Sequence, residues 1–204
     1  MRAFDGETLA VSTKVGLSSH GLWGRRRDLS PEGVEDSLRA SLGRLGREGV
    51  DLLILHGAAP HELHSDLLAR LQALKRAGAY RWLGATGRGE ALDWALDAGG
   101  FDVLRAPVHP FLDASERATL QRASDLGVRI IAIETAGDAP PALRPPRTPA
   151  DLYPLAKRLR GGASGRGRVS PPVGLQAALA SPGVVSALFT TTRRAHLLDN
   201  LSSG

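Results

Sequence analysis

The 204-residue sequence contains no cysteine. That excludes a disulfide framework, a thiolate metal site and a cysteine nucleophile. No stretch approaches the roughly 20 apolar residues needed to span a bilayer. The opening residues MRAFDGETLA lack the charged-then-apolar profile of a secretory signal. A cytoplasmic chain without membrane contact is the expectation. Lysine is scarce: Lys14, Lys75 and Lys157 are the only three among 26 basic residues. Tyrosine is scarcer still, with Tyr80 and Tyr153 alone.

The net charge of +5 is therefore an arginine charge, spread along the chain and interleaved with acids. That distribution reads as a solvated surface and argues against nucleic acid as a partner. Two denser clusters, Arg25-Arg26-Arg27 and the stretch from Lys157 to Arg168, carry a sharper alternative, a phosphorylated ligand. The abundance of Arg and Ala suggests a GC-rich bacterial genome. Apolar residues at 42% and charged residues at 23% are globular values. The length suits one domain, residues 1–204, with a core of its own.

Short apolar runs alternate with amphipathic stretches. Leu9 to Val15 is a brief strand ending at Gly16. Ser30-Pro31-Glu32 starts a helix, because Ser caps orphan amides and Pro is tolerated in the first turn. Val34, Leu38, Leu42 and Leu45 then form one apolar face, up to Gly46. Val50 to His56 is almost wholly apolar, as in strands buried on both faces of a parallel sheet. Further helices are expected at Ser65–Ala77, Glu90–Ala98 and from the capping-box pair Asp113/Glu116 to Leu126. Strands are expected at Arg81–Thr86, Phe101–Val108 and Val128–Ile133. The rhythm breaks over 138–172, an irregular insertion rich in Pro, Gly and Arg, with a helix near Ala150–Leu159 and a mobile surface loop from Gly161 to Pro172. A helix Val173–Ala180, a strand Val184–Thr190 and a helix Arg194–Leu201 close the chain. Six strands alternating with helices imply parallel pairing through right-handed crossovers, in a barrel or a doubly wound sheet.

Four segments resemble the aldo/keto reductase family, in order and spacing, from about Leu9 to Leu201. Ser12-Thr13-Lys14-Val15-Gly16 is similar to the family's third barrel strand, which ends in a catalytic Lys. Ser37 to Leu45 followed by Val50 to His56 resembles its signature helix and fourth strand, which ends in a catalytic His. Leu74 to Gly78 followed by Arg81 to Thr86 resembles the next helix and strand. Thr190-Thr191-Thr192 with His196 to Asn200 resembles the last strand and the helix that clasps the adenosine phosphate. The resemblance implies a (β/α) barrel of TIM type and reduction of a carbonyl or imine on a small-molecule substrate. NADP(H) would supply the hydride, and the protein a proton and orientation. It places Lys14 and His56 at the C-terminal mouth, where barrel enzymes keep their chemistry. It assigns Thr86, Gly87, Arg105, Thr190, Thr191, His196 and Asn200 to the cofactor. No metal is expected.

The chain also departs from that pattern. The family's Asp and Tyr precede the Lys strand, whereas here thirteen residues precede Lys14, with Asp5 among them and no Tyr. The match is to the family without its first two strand–helix units, so six strands remain and two edges are open to a homodimer partner or another chain. Arg105 stands for a Gln that meets the nicotinamide amide, Ile133 for an aromatic that stacks on the ring, and Glu134 for a Ser. Tyr80 precedes a strand, on the wrong end of the barrel, and Tyr153 sits in the insertion.

Among single residues, His109 ends a strand on the face of His56. Glu134 needs a partner, for which Arg105 is the natural candidate, and Gly87-Arg88-Gly89 could hold an anion before a helix. His61, Glu62 and His64 read as loop residues, and His20 with Trp23 as part of a loop over the mouth. The alternatives to a reductase are a cofactor-independent acid–base or Schiff-base enzyme using Lys14, His56, His109 and Glu134, and a non-catalytic barrel that binds a partner chain.

Overall fold

Six short strands lie side by side, all parallel, in the order in which the chain forms them. The computed structural model describes residues 9–19, 25–57, 59–138, 165–191 and 194–201. Within them β1 (Ser12–Val15) is followed by a hairpin of β2 (Leu17–Ser19) and β3 (Arg25–Arg27), then α1 (Pro31–Leu45), β4 (Val50–His56) and α2 (Ser65–Arg76). There follow β5 (Tyr80–Thr86), α3 (Glu90–Ala98), β6 (Val103–Pro107), α4 (Ala114–Asp125) and β7 (Arg129–Ile133). The chain closes with α5 (Pro171–Leu179), β8 (Val184–Ala187) and α6 (Arg194–Leu201). The main sheet runs β1-β4-β5-β6-β7-β8, with β1 and β8 at its two edges. This is the expected shortened barrel, an open sheet rather than a closed ring.

Local chemistry accounts for the element ends. Ser30 Oγ accepts from the Gly33 amide at 3.0 Å, and Asp28 Oδ1 steadies that serine by accepting from its hydroxyl at 2.6 Å. Gly46 ends α1 in the left-handed region at φ 62°, which a glycine adopts without steric cost. Asp113 and Glu116 form the capping box of α4, with both bonds at 2.9 Å. Helix α5 begins at Pro171, two residues before the expected start, because Ser170 is extended and two prolines fit the first turn. The last strand stops at Ala187 rather than Thr190. The β2–β3 hairpin was not expected. The helix expected near Ala150–Leu159 lies outside the described residues.

The two faces of the sheet are unequal. Val15, Leu53, Leu55, Leu83, Leu104 and Ile130 pack against the helices in one large core with Val34, Leu38, Leu67, Leu71 and Leu92. The opposite face, the inside of a complete barrel, carries a small cluster of Leu52, Ile54 and Val103, with Trp82 and Ile131 partly buried against it. Gly84 lets these residues close up, since a Cβ there would sit 3.2 Å from both Leu52 Cδ1 and Val103 O. At the β8 end Val185, Leu188, Leu198 and Leu201 remain exposed.

A one-sided core makes a sharp prediction about neighbours in one strand. Leu53→Ala should cost about 2–5 kcal/mol, the usual range for a fully buried leucine. Leu52→Ala, on the thinner face, should cost less than half as much in urea unfolding. Equal costs would contradict the asymmetry.

Candidate active site

Parallel pairing fixes what meets at the C-terminal ends of the strands. Lys14 is in register with Ile54, and His56 with Thr86, which in turn is in register with Arg105. Side chains alternate across a strand, so Lys14, His56, Thr86 and Arg105 all belong to the inner face, above Leu52, Ile54, Trp82 and Val103. His56, Thr86 and Arg105 form one row across three adjacent strands, and standard strand spacing puts the outer two Cα atoms roughly 10 Å apart. Lys14 lies one layer below on the next strand, about 8 Å from His56 by the same geometry. The lysine is exposed, and the other three are half-buried. Thr86 donates its hydroxyl to the Arg105 carbonyl at 2.9 Å.

Arg105 is unusual within this row. Its Nε is sealed from solvent and has no hydrogen-bond partner. Burial pushes the guanidinium below its ordinary pKa. The partner expected for it, Glu134, is instead ion-paired with Arg88. The pair joins residues 46 apart in sequence, at the tips of β5 and β7. The anion held beside Gly87-Arg88-Gly89 is thus a carboxylate of the protein itself. Glu134 adopts φ 55°, the only non-glycine residue in the left-handed region among those described. Such a conformation costs of order 1–3 kcal/mol and is found where a side chain must be aimed.

His109 follows β6 but does not join His56 in the row. It is buried, with Nδ1 unpartnered, and its ring lies tilted against Phe111 with centroids 6.2 Å apart. Burial lowers its pKa, and the charges of Asp138, Glu116, Arg166 and Glu134 act on it. It lines an apolar cavity of about 380 Å³ with Leu112, Arg117, Leu120, Ala178 and Val184. That cavity opens between α4 and α5, away from the tip row.

The remaining candidates mostly have structural roles. Arg27 Nε donates to Glu62 at 2.7 Å, and this bond holds the Glu62 carboxyl below its ordinary pKa. His64 caps α2 by accepting from the Leu67 amide. No group of three metal-binding side chains occurs among the described residues. Tyr80 sits at the start of β5, the far end from the mouth, and donates to the Leu71 carbonyl at 2.7 Å. The described part of the Gly161–Pro172 loop is tied down: the Arg166 guanidinium meets Glu116 at 2.7 Å and Asp113 at 3.0 Å. Thr190 and Thr191 follow β8, His196 is exposed on α6, and Asn200 is buried. His20, Trp23, Tyr153 and Lys157 lie outside the described residues.

The aldo/keto reductase family model matches residues 2–204. The chain belongs to the aldo/keto reductase family. No curated protein sequence matches it. Among solved structures it is similar to a Pseudomonas aeruginosa protein assigned to the aldo-keto reductases, at 20% identity and TM-score 0.68, over 95% of this chain and 65% of that one. It is also similar to the holo form of aldo-keto reductase AKR11C1 from Bacillus halodurans, at 18% identity and TM-score 0.71, over 96% of this chain and 67% of that one. The chain thus spans about two thirds of the length of these relatives, and at such identities the likeness is one of fold.

Aldo/keto reductases generally use a nicotinamide cofactor, and the residues of this mouth match one only in part, with Ile133 standing where the resemblance expects a stacking aromatic. Gly87 lets the turn after β5 pack closely on α3, since a Cβ there would meet Ala91 Cβ at 2.9 Å. The repulsion a lone Glu134 would exert on a pyrophosphate is cancelled by Arg88. Asn200 is buried, while Arg194, His196 and Asp199 are the exposed polar groups on α6.

The burial of His109 has a consequence for stability. Its ordinary pKa of 6.5 applies in the unfolded chain, and the folded value is lower. The unfolded state therefore takes up the proton first, so the contribution of neutral His109 is full above about pH 6.5 and fades as pH falls through the folded value. Thermal unfolding followed from pH 7.5 to 5 should show the melting temperature falling, and falling less steeply for His109→Leu. Parallel curves for the two proteins would contradict the assignment.

Proposed function

We propose that this aldo/keto reductase family member uses NADP(H) to reduce a carbonyl or imine on a small molecule, at the C-terminal mouth of its open sheet. The observation that carries the reading is the register of β1 with β4, which brings Lys14 and His56 to the same face at the same end. Bound there, the cofactor supplies the hydride. Thr86 and Gly87 would hold its ring end, with Thr190, Thr191 and His196 toward its phosphates. The His56 imidazole orients the carbonyl oxygen, and the Lys14 ammonium polarises it and offers the proton.

A second reading draws on the position of Tyr80, whose hydroxyl is committed to Leu71 at the opposite end. Without a phenol at the mouth among the described residues, Lys14 is left as the main acid–base group, and it is also a competent nucleophile for a Schiff base with a carbonyl substrate. The open edges β1 and β8, and the exposed apolar residues beside β8, favour a second chain covering the gap, most simply another copy.

Titrating the protein into NADPH should quench or shift the cofactor fluorescence, saturably and at sub-millimolar concentration. No change at millimolar cofactor would end the first reading. Borohydride trapping of a carbonyl substrate on Lys14 would instead select the second. Lys14→Ala should lower turnover by about 10²–10⁴-fold in either case, and full activity would refute both. Light scattering should give a mass near twice 21.5 kDa; a monomer at all concentrations would remove the second copy.

A further inference from the structure

We propose that Arg105 makes this mouth a site for a substrate bearing a carboxylate. The inference rests on the reading of the mouth as the working site and names the class of molecule it takes.

A guanidinium stays charged at any working pH, and a buried charge without a partner is costly. Evolution usually answers such a charge with a carboxylate from the same fold. Here the carboxylate expected for it, Glu134, is taken by Arg88, and no ion pair holds Arg105 among the described residues. Its Nε is shut away from water with no acceptor, while its terminal nitrogens are not sealed in the same way. The charge is thus partly stripped of water on one side and open on the other. A ligand anion can supply the partner that Arg105 lacks among the described residues.

The surroundings select the anion's type. Thr86, beside Arg105 in register, is neutral, and its hydroxyl lone pairs stay available as its proton goes to the Arg105 carbonyl. Ile131 flanks Arg105 on the other side, and Trp82 and Val103 form the floor below. Lys14 adds a second positive charge on the same face. A planar carboxylate matches the guanidinium fork with two parallel bonds, and an organic body suits the apolar floor better than a fully hydrated phosphate does. A carbonyl substrate carrying a carboxylate would place its charge on Arg105 and its carbonyl toward His56 and Lys14.

Calorimetric titration of the full chain without any cofactor tests this, using benzoate, its neutral isostere benzamide and inorganic phosphate as probes. Benzoate should bind at least tenfold more tightly than either of the others. Arg105→Gln should abolish the preference for benzoate over benzamide, and Arg105→Lys should keep part of it; melting curves confirm that both variants are folded. Should Arg105→Gln fail to fold, the reduced preference in Arg105→Lys alone decides. Equal binding of benzoate and benzamide, no benzoate binding, or an unchanged preference in both variants would overturn the proposal. Phosphate binding tighter than benzoate would overturn it in favour of a phosphate group as the occupant. Because NADPH is absent, failure here leaves the reductase reading standing, and failure of NADPH to bind leaves the carboxylate site standing.

Discussion

Parallel pairing of β1 with β4 is the constraint on which the rest depends. In a parallel ladder the C-terminal ends of all strands meet at one end of the sheet, and the twofold alternation of side chains assigns each residue to one face. Lys14 opposite Ile54 and His56 opposite Thr86 then follow without further assumption. A register slip of one residue would send Lys14 into the helix-side core beside Leu53 and Leu55. The fully buried Val15, next to Lys14, resists that slip, since it would have to leave the core.

The same alternation explains how a polar mouth coexists with a stable sheet. Stability is carried by the helix-side core, in which every strand of the main sheet takes part. The inner face contributes little to it and is free to carry Lys14, His56, Thr86 and Arg105 on a small apolar floor. The apolar core and the polar side chains are thereby divided between the two sides of one sheet. In a chain of this family with an open sheet, that division leaves the inner face free to carry polar residues such as Arg105 without loss of the core.

What was legible in the sequence was what local chemistry decides. Ser30-Pro31, the Asp113/Glu116 box and the apolar run Val50–His56 each announce an element through neighbours within a few residues, and all three stand in the structure. The resemblance located Lys14 and His56, and strand parity placed them together. The β2–β3 hairpin was not legible, because strands of three residues reading LSS and RRR carry no alternation. The partner of Glu134 was not legible either: which strand tips touch depends on how the loops beyond them fold, and Arg88 takes the place expected for Arg105. His109 follows the same strand as Arg105, yet its side chain lies against Phe111 and the cavity between α4 and α5, a placement set by elements far apart in sequence.

The absence of cysteine makes the central geometric claim directly measurable. In a chain with Lys14→Cys and His56→Cys, a reagent that fluoresces only on bridging two nearby thiols should become fluorescent, and unfolding in urea should abolish the signal. In a chain with Lys14→Cys and Arg81→Cys, which places the second thiol at the opposite end of the sheet, no signal should appear. Bridging in the second chain, or its failure in the first, would contradict a shared mouth.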